Sequence, residues 1–140
     1  ASRQRTKAEQ VGRDLAQSVD TSRLSAVGWG DPAALSAACE GVDLIIGSGA
    51  AGVELLSAEQ LRAVSSLRVA IDLNAVPPAG LGGVDVMDKG TTRDGIVCYG
   101  AIRVGGMKMK IHVAALQRLF EANDLVLDTN AIYEIGRKLA

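Results

Sequence analysis

The chain has 140 residues, the size of one ordinary domain. Hydrophobic residues make up 48% and charged residues 22%, which is a globular composition, and 15 Lys and Arg against 16 Asp and Glu leave a net charge of −1. There is no basic excess, only 3% of residues are aromatic, and no apolar run nears the roughly 20 residues of a membrane helix, so neither a nucleic-acid partner nor a membrane span is expected.

Thr6-Lys7-Ala8-Glu9 reads as a capping box opening a first helix, with Ala8, Val11, Leu15 and Val19 at helical spacing. Leu24–Val27 is a short strand candidate. Asp31-Pro32 starts a second helix, with Asp as N-cap and Pro at the first helical position; Leu35, Ala38 and Cys39 form its inner face and Gly41 ends it. Val42–Ile46 is a largely apolar strand running into Gly47-Ser48-Gly49-Ala50-Ala51-Gly52. Ser57-Ala58-Glu59-Gln60 is a second capping box, opening a helix with Leu61 and Val64 inward. Leu67–Leu73 is the next strand, followed by Asn74-Ala75-Val76-Pro77-Pro78 and a glycine-rich loop. Pro77-Pro78 predicts an extended exit from that strand. Ile96–Tyr99 is a last strand. A helix is expected from Gly106, with Met107, Ile111, Ala115 and Leu119 inward, and Asp128 caps a final one carrying Ile132, Ile135 and Leu139.

Strands alternating with helices predict an α/β fold with a parallel sheet covered on both faces. The run Leu44-Ile45-Ile46 fits a central position in such a sheet. The core must be aliphatic. Cys39 and Cys98 lack nearby ligand partners and could pair in an oxidising compartment, but two buried thiols of a cytoplasmic protein are expected. With one His and no C-x-x-C pair, no metal site is expected.

Gly47–Gly52 matches G-x-G-x-x-G literally, but it does not lie in a first βαβ unit with an acidic residue at the usual distance. It reads better as a later loop of a dinucleotide fold, at the carboxyl end of a strand where small residues allow close approach.

The runs Asp72–Asp85 (DLNAVPPAGLGGVD), Asp88-Lys89-Gly90, Gly105–His112 (GGMKMKIH) and Gly47–Leu56 (GSGAAGVELL) closely resemble the NADP-dependent methylene-tetrahydromethanopterin dehydrogenase family, and the similarity extends to Ala131–Glu134. The resemblance implies a hydride transfer between the methylene group of a tetrahydromethanopterin-type pterin and NAD(P)+, in a cytoplasmic homo-oligomer. It implies a Rossmann-type doubly wound parallel sheet, here partial because the first strand is missing, with C-terminal helices. Residues 1–103 would be the C-terminal part of the dinucleotide-binding domain. Residues 104–140 would be closing helices that pack toward a missing N-terminal substrate domain, and the fragment alone would be inactive. A non-catalytic Rossmann-like module pairing with another chain, and a related folate or shikimate-type dehydrogenase, remain the alternatives.

The same resemblance suggests site residues. Ser2 and Arg3 would stand at the adenosine ribose, where a hydroxyl and a guanidinium suit a 2′-phosphate. NADP is therefore the expected cofactor, with NAD possible; the plain reading is a solvated basic terminus. Gly47, Ser48, Gly49 and Ala50 would pass over the cofactor, or merely turn the chain. Asn74 could pair with the nicotinamide carboxamide or the ribose while Ala75 leaves space; it could also be an ordinary turn residue. Gly105 would let the backbone approach nicotinamide. Lys108 is the expected catalytic residue, its cation holding the pterin or polarising its amide, against the reading of a surface lysine. Lys110 and Lys108 cannot share a helical face.

Overall fold

The computed structural model describes residues 1–2, 4–17 and 24–139, so the expectations placed on Arg3 and Val19 lie outside the described residues. Helix α1 (Arg5–Leu15) starts one residue before Thr6, with Gln4 at its N-cap and no side-chain cap. The expected capping box does not form: Glu9 is engaged by the Arg5 guanidinium one turn away, at 2.9 Å. Residues 24–27 form no strand. Their pairing reduces to a parallel Ser2–Gly28 bridge, in which Ser2 N donates to Val27 O (3.1 Å) and Trp29 N donates to Ser2 O (2.7 Å).

Helix α2 (Pro32–Cys39) is capped by Asp31, whose carboxylate accepts from the amides of Ala33 (3.0 Å) and Ala34 (3.3 Å). Helix α3 (Ala58–Ala63) has the full capping box: Ser57 Oγ accepts from Gln60 N (3.2 Å), and Gln60 Oε1 accepts from Ser57 N (2.8 Å). Both caps are local chemistry, which is why four residues of sequence suffice to place them.

The sheet runs in the order β1-β2-β4-β3. Strands β1 (Leu44–Gly47), β2 (Val69–Asp72) and β4 (Ile96–Tyr99) are parallel, and β3 (Lys89–Arg93) joins β4 antiparallel. The fold is α/β and Rossmann-like, but the sheet is mixed where an all-parallel one was expected. Asp94 and Gly95, at φ +49° and +82°, make the two-residue turn between β3 and β4, the conformation of a type I′ hairpin. Every residue of β3 is exposed, so it lacks the apolar alternation that reveals a strand. At its base Asp88 is buried, held by the Arg93 guanidinium and by the Asp85 amide.

One face of the sheet carries Ile45, Ala70 and Cys98 in register, packed with Leu56, Leu61, Leu67, Leu81, Val84 and Ile96 into an aliphatic core. Leu44 and Ile46 point to the other face and are 47% and 53% exposed. The expectation that Leu44–Ile46 sits centrally is corrected: among the described residues β1 is an edge strand, with one neighbour and one covered face. Cys98 is buried and Cys39 only half-buried; both are free thiols, and loss of hydration pushes each above its ordinary pKa.

Helix α4 (Ala101–Leu119) begins five residues before the expected start at Gly106. The chain turns from β4 into α4 at Gly100, where a Cβ would collide with the backbone of Asp85 and Val86. Gly105 and Gly106 lie inside the helix, where a Cβ on either would meet nothing. The glycine that the turn requires is therefore Gly100, and the Gly105-Gly106 pair marks no break. Met107 and Leu119, expected inward, are 41% and 40% exposed. Helix α5 (Thr129–Arg137) is capped by Asp128, which accepts from Ala131 N at 2.8 Å, and it packs beside α4 at Ile111 and Gly136. Among the described residues no helix is long and apolar enough to cross a membrane.

Candidate ligand site at the ends of β1 and β2

Gly47 and Asp72 are register partners at the carboxyl ends of adjacent parallel strands, and Leu73 N donates to Gly47 O at 2.8 Å. Open α/β sheets place ligands at this edge, in the crevice beyond the strand ends. The chain leaves β1 through Ser48, Gly49 and Ala50, all exposed, and leaves β2 through Leu73, Asn74 and Ala75. Both exits return to each other. Leu55 N donates to Gly80 O (2.7 Å) and Gly82 N donates to Leu56 O (2.8 Å), so the segment after β1 is stitched to the segment that closes the 73–81 loop.

Asp72 holds that loop. It is 2% exposed, and its two carboxylate oxygens accept from Asn74 N at 3.0 Å and Leu81 N at 2.9 Å. Leu81 is anchored in the core at 1% exposed. Between these two points the chain bends through Val76, Pro77 and Pro78 with a cis Pro77–Pro78 peptide, where an extended exit was expected. Asn74 is also buried, and its Nδ2 has no hydrogen-bond partner. An unpaired buried amide donor costs on the order of 1–3 kcal/mol, so this carboxamide gains from any acceptor that reaches it.

The glycines are required by the chain's own packing as well as by open space. A Cβ on Gly47 would stand 2.8 Å from Leu81 Cγ and 3.2 Å from Asp72 Oδ1. One on Gly49 would stand 2.7 Å from a Leu55 methyl, and one on Gly80 would collide with Asn74 Nδ2 and stand 2.9 Å from Asp72 Oδ1. Asp72 and Asn74 are thus walled by bare backbone. Sequence reading singled out Asn74 and the β1 glycines; it gave Asp72 only the ordering of its own strand end and missed Gly80 and Leu81, because the return of the chain nine residues on is a tertiary fact.

The structure brings Gly47, Ser48, Gly49 and Ala50 together with Asn74 and Ala75. Ser2 connects to them indirectly: its backbone pairs with Trp29, and Trp29 Nε1 donates to Leu55 O at 2.9 Å, beside Gly49. Arg3 lies outside the described residues. Gly105 and Lys108 are not brought into this cluster. Both are inside α4, and Lys108 is seven residues beyond Ala101, about 10 Å along the axis. The expectation that Lys108 belongs to a first helical turn opened by Gly105-Gly106 is therefore corrected. The expected separation of Lys108 from Lys110 holds: Lys108 shares the face of Val104, Ile111 and Ala115, and Lys110 points about 200° away.

A cavity of about 380 Å³ lies elsewhere, between α2 and α3, lined by Leu35, Cys39, Gln60 and Val64 among others. It has no convergent set of charged groups, and the strand ends are the better chemical candidate. Among the described residues no group of three or more His, Cys, Asp or Glu side chains is placed to hold a metal ion.

Two relatives come from Methylorubrum extorquens. One, the bifunctional protein MdtA, is 36% identical over 117 residues, covering 84% of this chain and 41% of the relative. The other, an NAD(P)-dependent methylenetetrahydromethanopterin dehydrogenase, is 38% identical over 112 residues, covering 78% of this chain and 38% of the relative. The chain spans about two fifths of the length of these relatives. No protein-family model matches it.

Proposed function

We propose that the chain forms the C-terminal part of a methylenetetrahydromethanopterin dehydrogenase, an enzyme moving a hydride between methylenetetrahydromethanopterin and NAD(P)+; its similarity to the two relatives supports the reading. The observation that carries the reading is Asn74: a buried amide without a partner, at the carboxyl end of a parallel strand, beside the bare backbone of Gly47 and Gly80. These residues fit the nicotinamide half of a dinucleotide, which presents a carboxamide and a ribose to its protein. When bound, that cofactor supplies the hydride acceptor.

The chain's own residues would then bind and orient. Ser48, Gly49 and Ala50 offer exposed backbone with little side-chain bulk, and Ala75 keeps the exit of β2 open. Ser2 and Arg3 would hold the 2′-phosphate of NADP, which makes NADP the proposed cofactor and NAD the alternative. Gly105 lies on the proposed substrate side. Lys108 remains the proposed catalytic residue, an exposed side chain on the side of α4 that carries Ile111 and Ala115, its cation proposed to meet a carbonyl or carboxylate of the pterin. Residues 1–103 belong in this reading to the dinucleotide-binding domain and 104–140 to closing helices that meet an N-terminal substrate domain; α4 itself starts slightly earlier, at Ala101. The complete protein is proposed to be a cytoplasmic homo-oligomer, and the fragment alone inactive.

The test is direct. The complete protein should reduce NAD(P)+ when supplied with methylenetetrahydromethanopterin, followed by the absorbance of the reduced nicotinamide. Arg3→Ala should raise the KM for NADP+ more than that for NAD+. Absence of pterin-dependent reduction with either coenzyme would remove the activity from this chain.

A further inference from the structure

We propose that Asp72 is a positioning residue for the nicotinamide half of the dinucleotide site, acting through Asn74; the inference rests on the dinucleotide-binding reading above. The geometry is a clamp. The Asp72 carboxylate takes the amide at the start of the 73–81 loop, Asn74 N at 3.0 Å, on one oxygen and the amide at its end, Leu81 N at 2.9 Å, on the other. With Leu81 fixed in the core, the backbone of Asn74 cannot drift.

A carboxylate suits this place because it only accepts, and both groups that face it only donate. An asparagine there would turn an NH₂ toward one of the two amides and lose one of the bonds. The clamp holds the backbone of Asn74 and makes no bond to its side chain. In the present rotamer Nδ2 is sealed behind Gly80 with no acceptor. Turning the carboxamide outward, to a carbonyl or hydroxyl oxygen of a ligand, relieves that unpaired donor. The ligand-bound rotamer is therefore favoured by the strain of the free one, provided the backbone stays where Asp72 holds it. A ligand that reaches only the adenosine side of the site gains nothing from this arrangement.

The experiment uses the complete protein and isothermal titration with NADP+ and with adenosine 2′,5′-bisphosphate, which lacks the nicotinamide half. Asp72→Asn should weaken NADP+ about tenfold, the effect of roughly one hydrogen bond, and leave the bisphosphate within about twofold of native. Asn74→Ala should do the same, and the double variant should bind NADP+ no worse than either single one, because both changes break one pathway. Equal weakening of both ligands by Asp72→Asn, no weakening of either, or additive losses would overturn the proposal. Native protein that binds neither ligand would overturn the dinucleotide reading as well. Hydrogen exchange on the native protein gives a check that needs no variant to fold. NADP+ should slow exchange of the Asn74 and Leu81 amides and the bisphosphate should not; identical exchange with both ligands counts against the clamp.

Discussion

Arg93 grips Asp88 with two prongs, Nε on Oδ2 and Nη2 on Oδ1, each at 2.9 Å. Asp88 is 4% exposed, and this guanidinium, helped by the Asp85 amide and opposed by burial, holds the carboxyl below its usual pKa. A depressed folded value means stability that is present above the unfolded carboxylate pKa of about 3.9 and is lost as pH falls through the folded one. Asp88→Ala should therefore cost about 2 kcal/mol at neutral pH, the scale of a hydrogen-bonded charge. The difference from native should shrink in acid, below about pH 4. Urea unfolding at neutral and acid pH would show it; an unchanged difference would mean that the fork contributes through packing alone.

Gly80→Ala places a methyl against Asn74 Nδ2 and 2.9 Å from Asp72 Oδ1. Asp72 Oδ1 cannot retreat without loosening its bond to Asn74 N, and the unpaired carboxamide must be displaced, so the substitution should destabilise by about 1–3 kcal/mol. It should also weaken dinucleotide binding. Gly105→Ala, which meets nothing, is the matched control and should be neutral or slightly stabilising, as Ala for Gly inside a helix. Thermal melts of the two variants compare them directly.

Lys108→Ala should lower kcat and kcat/KM of the complete enzyme together, with little change in coenzyme affinity, as expected for a contact made mainly in the transition state. Lys110→Ala, on the opposite side of α4, should be nearly silent. Steady-state kinetics with varied pterin would decide. A damaging Lys110→Ala with a harmless Lys108→Ala would assign the substrate to the other face of the helix.

Ile102, Met109, Val113, Leu116 and Phe120 make an apolar stripe along α4 that faces away from α5, exposed by 51%, 54%, 48%, 44% and 90%. It is about 27 Å long, longer than the scattered apolar residues of an ordinary surface. The 140-residue chain by itself should self-associate, and Val113→Lys with Leu116→Lys should restore the monomer in sedimentation without lowering the melting temperature. In the complete protein, if other segments cover the stripe, the same pair should lower it. A monodisperse native 140-residue chain would contradict the first expectation.

What the sequence reveals and what it hides follow from the range of the forces involved. The Asp31 and Ser57 caps involve side chains within three residues of their amides, and both are legible. Strands β2 and β4 carry apolar residues that few other structures would use. Strand β3 hides because Lys-Gly-Thr-Thr-Arg pairs through its backbone with no side chain buried, although the Asp94-Gly95 dipeptide marks a hairpin for a reader who looks for it. The start of α4 is hidden because glycine weakens helices, so Gly105-Gly106 reads as a boundary, while the glycine that matters is set by the distant backbone of Asp85 and Val86. At the site, Asn74 and Gly47 are visible as types in a suggestive place. That Asp72 joins Leu81 to Asn74 is invisible until the loop has closed.

The hairpin also gives the sheet an order of construction. A two-residue turn lets β3 and β4 meet on about the 1–10 μs scale of an isolated hairpin, whereas β1–β2 and β2–β4 each wait for a crossover of more than twenty residues. Polar β3, with its acid–arginine fork, is expected to be the seed against which β2 docks, with β1 arriving last. On that side the Lys89 and Arg93 charges of edge strand β3 disfavour a further strand. The other edge of the described sheet is β1, next to Gly47, so that closing the sheet at that edge and shaping the ligand site become a single late event.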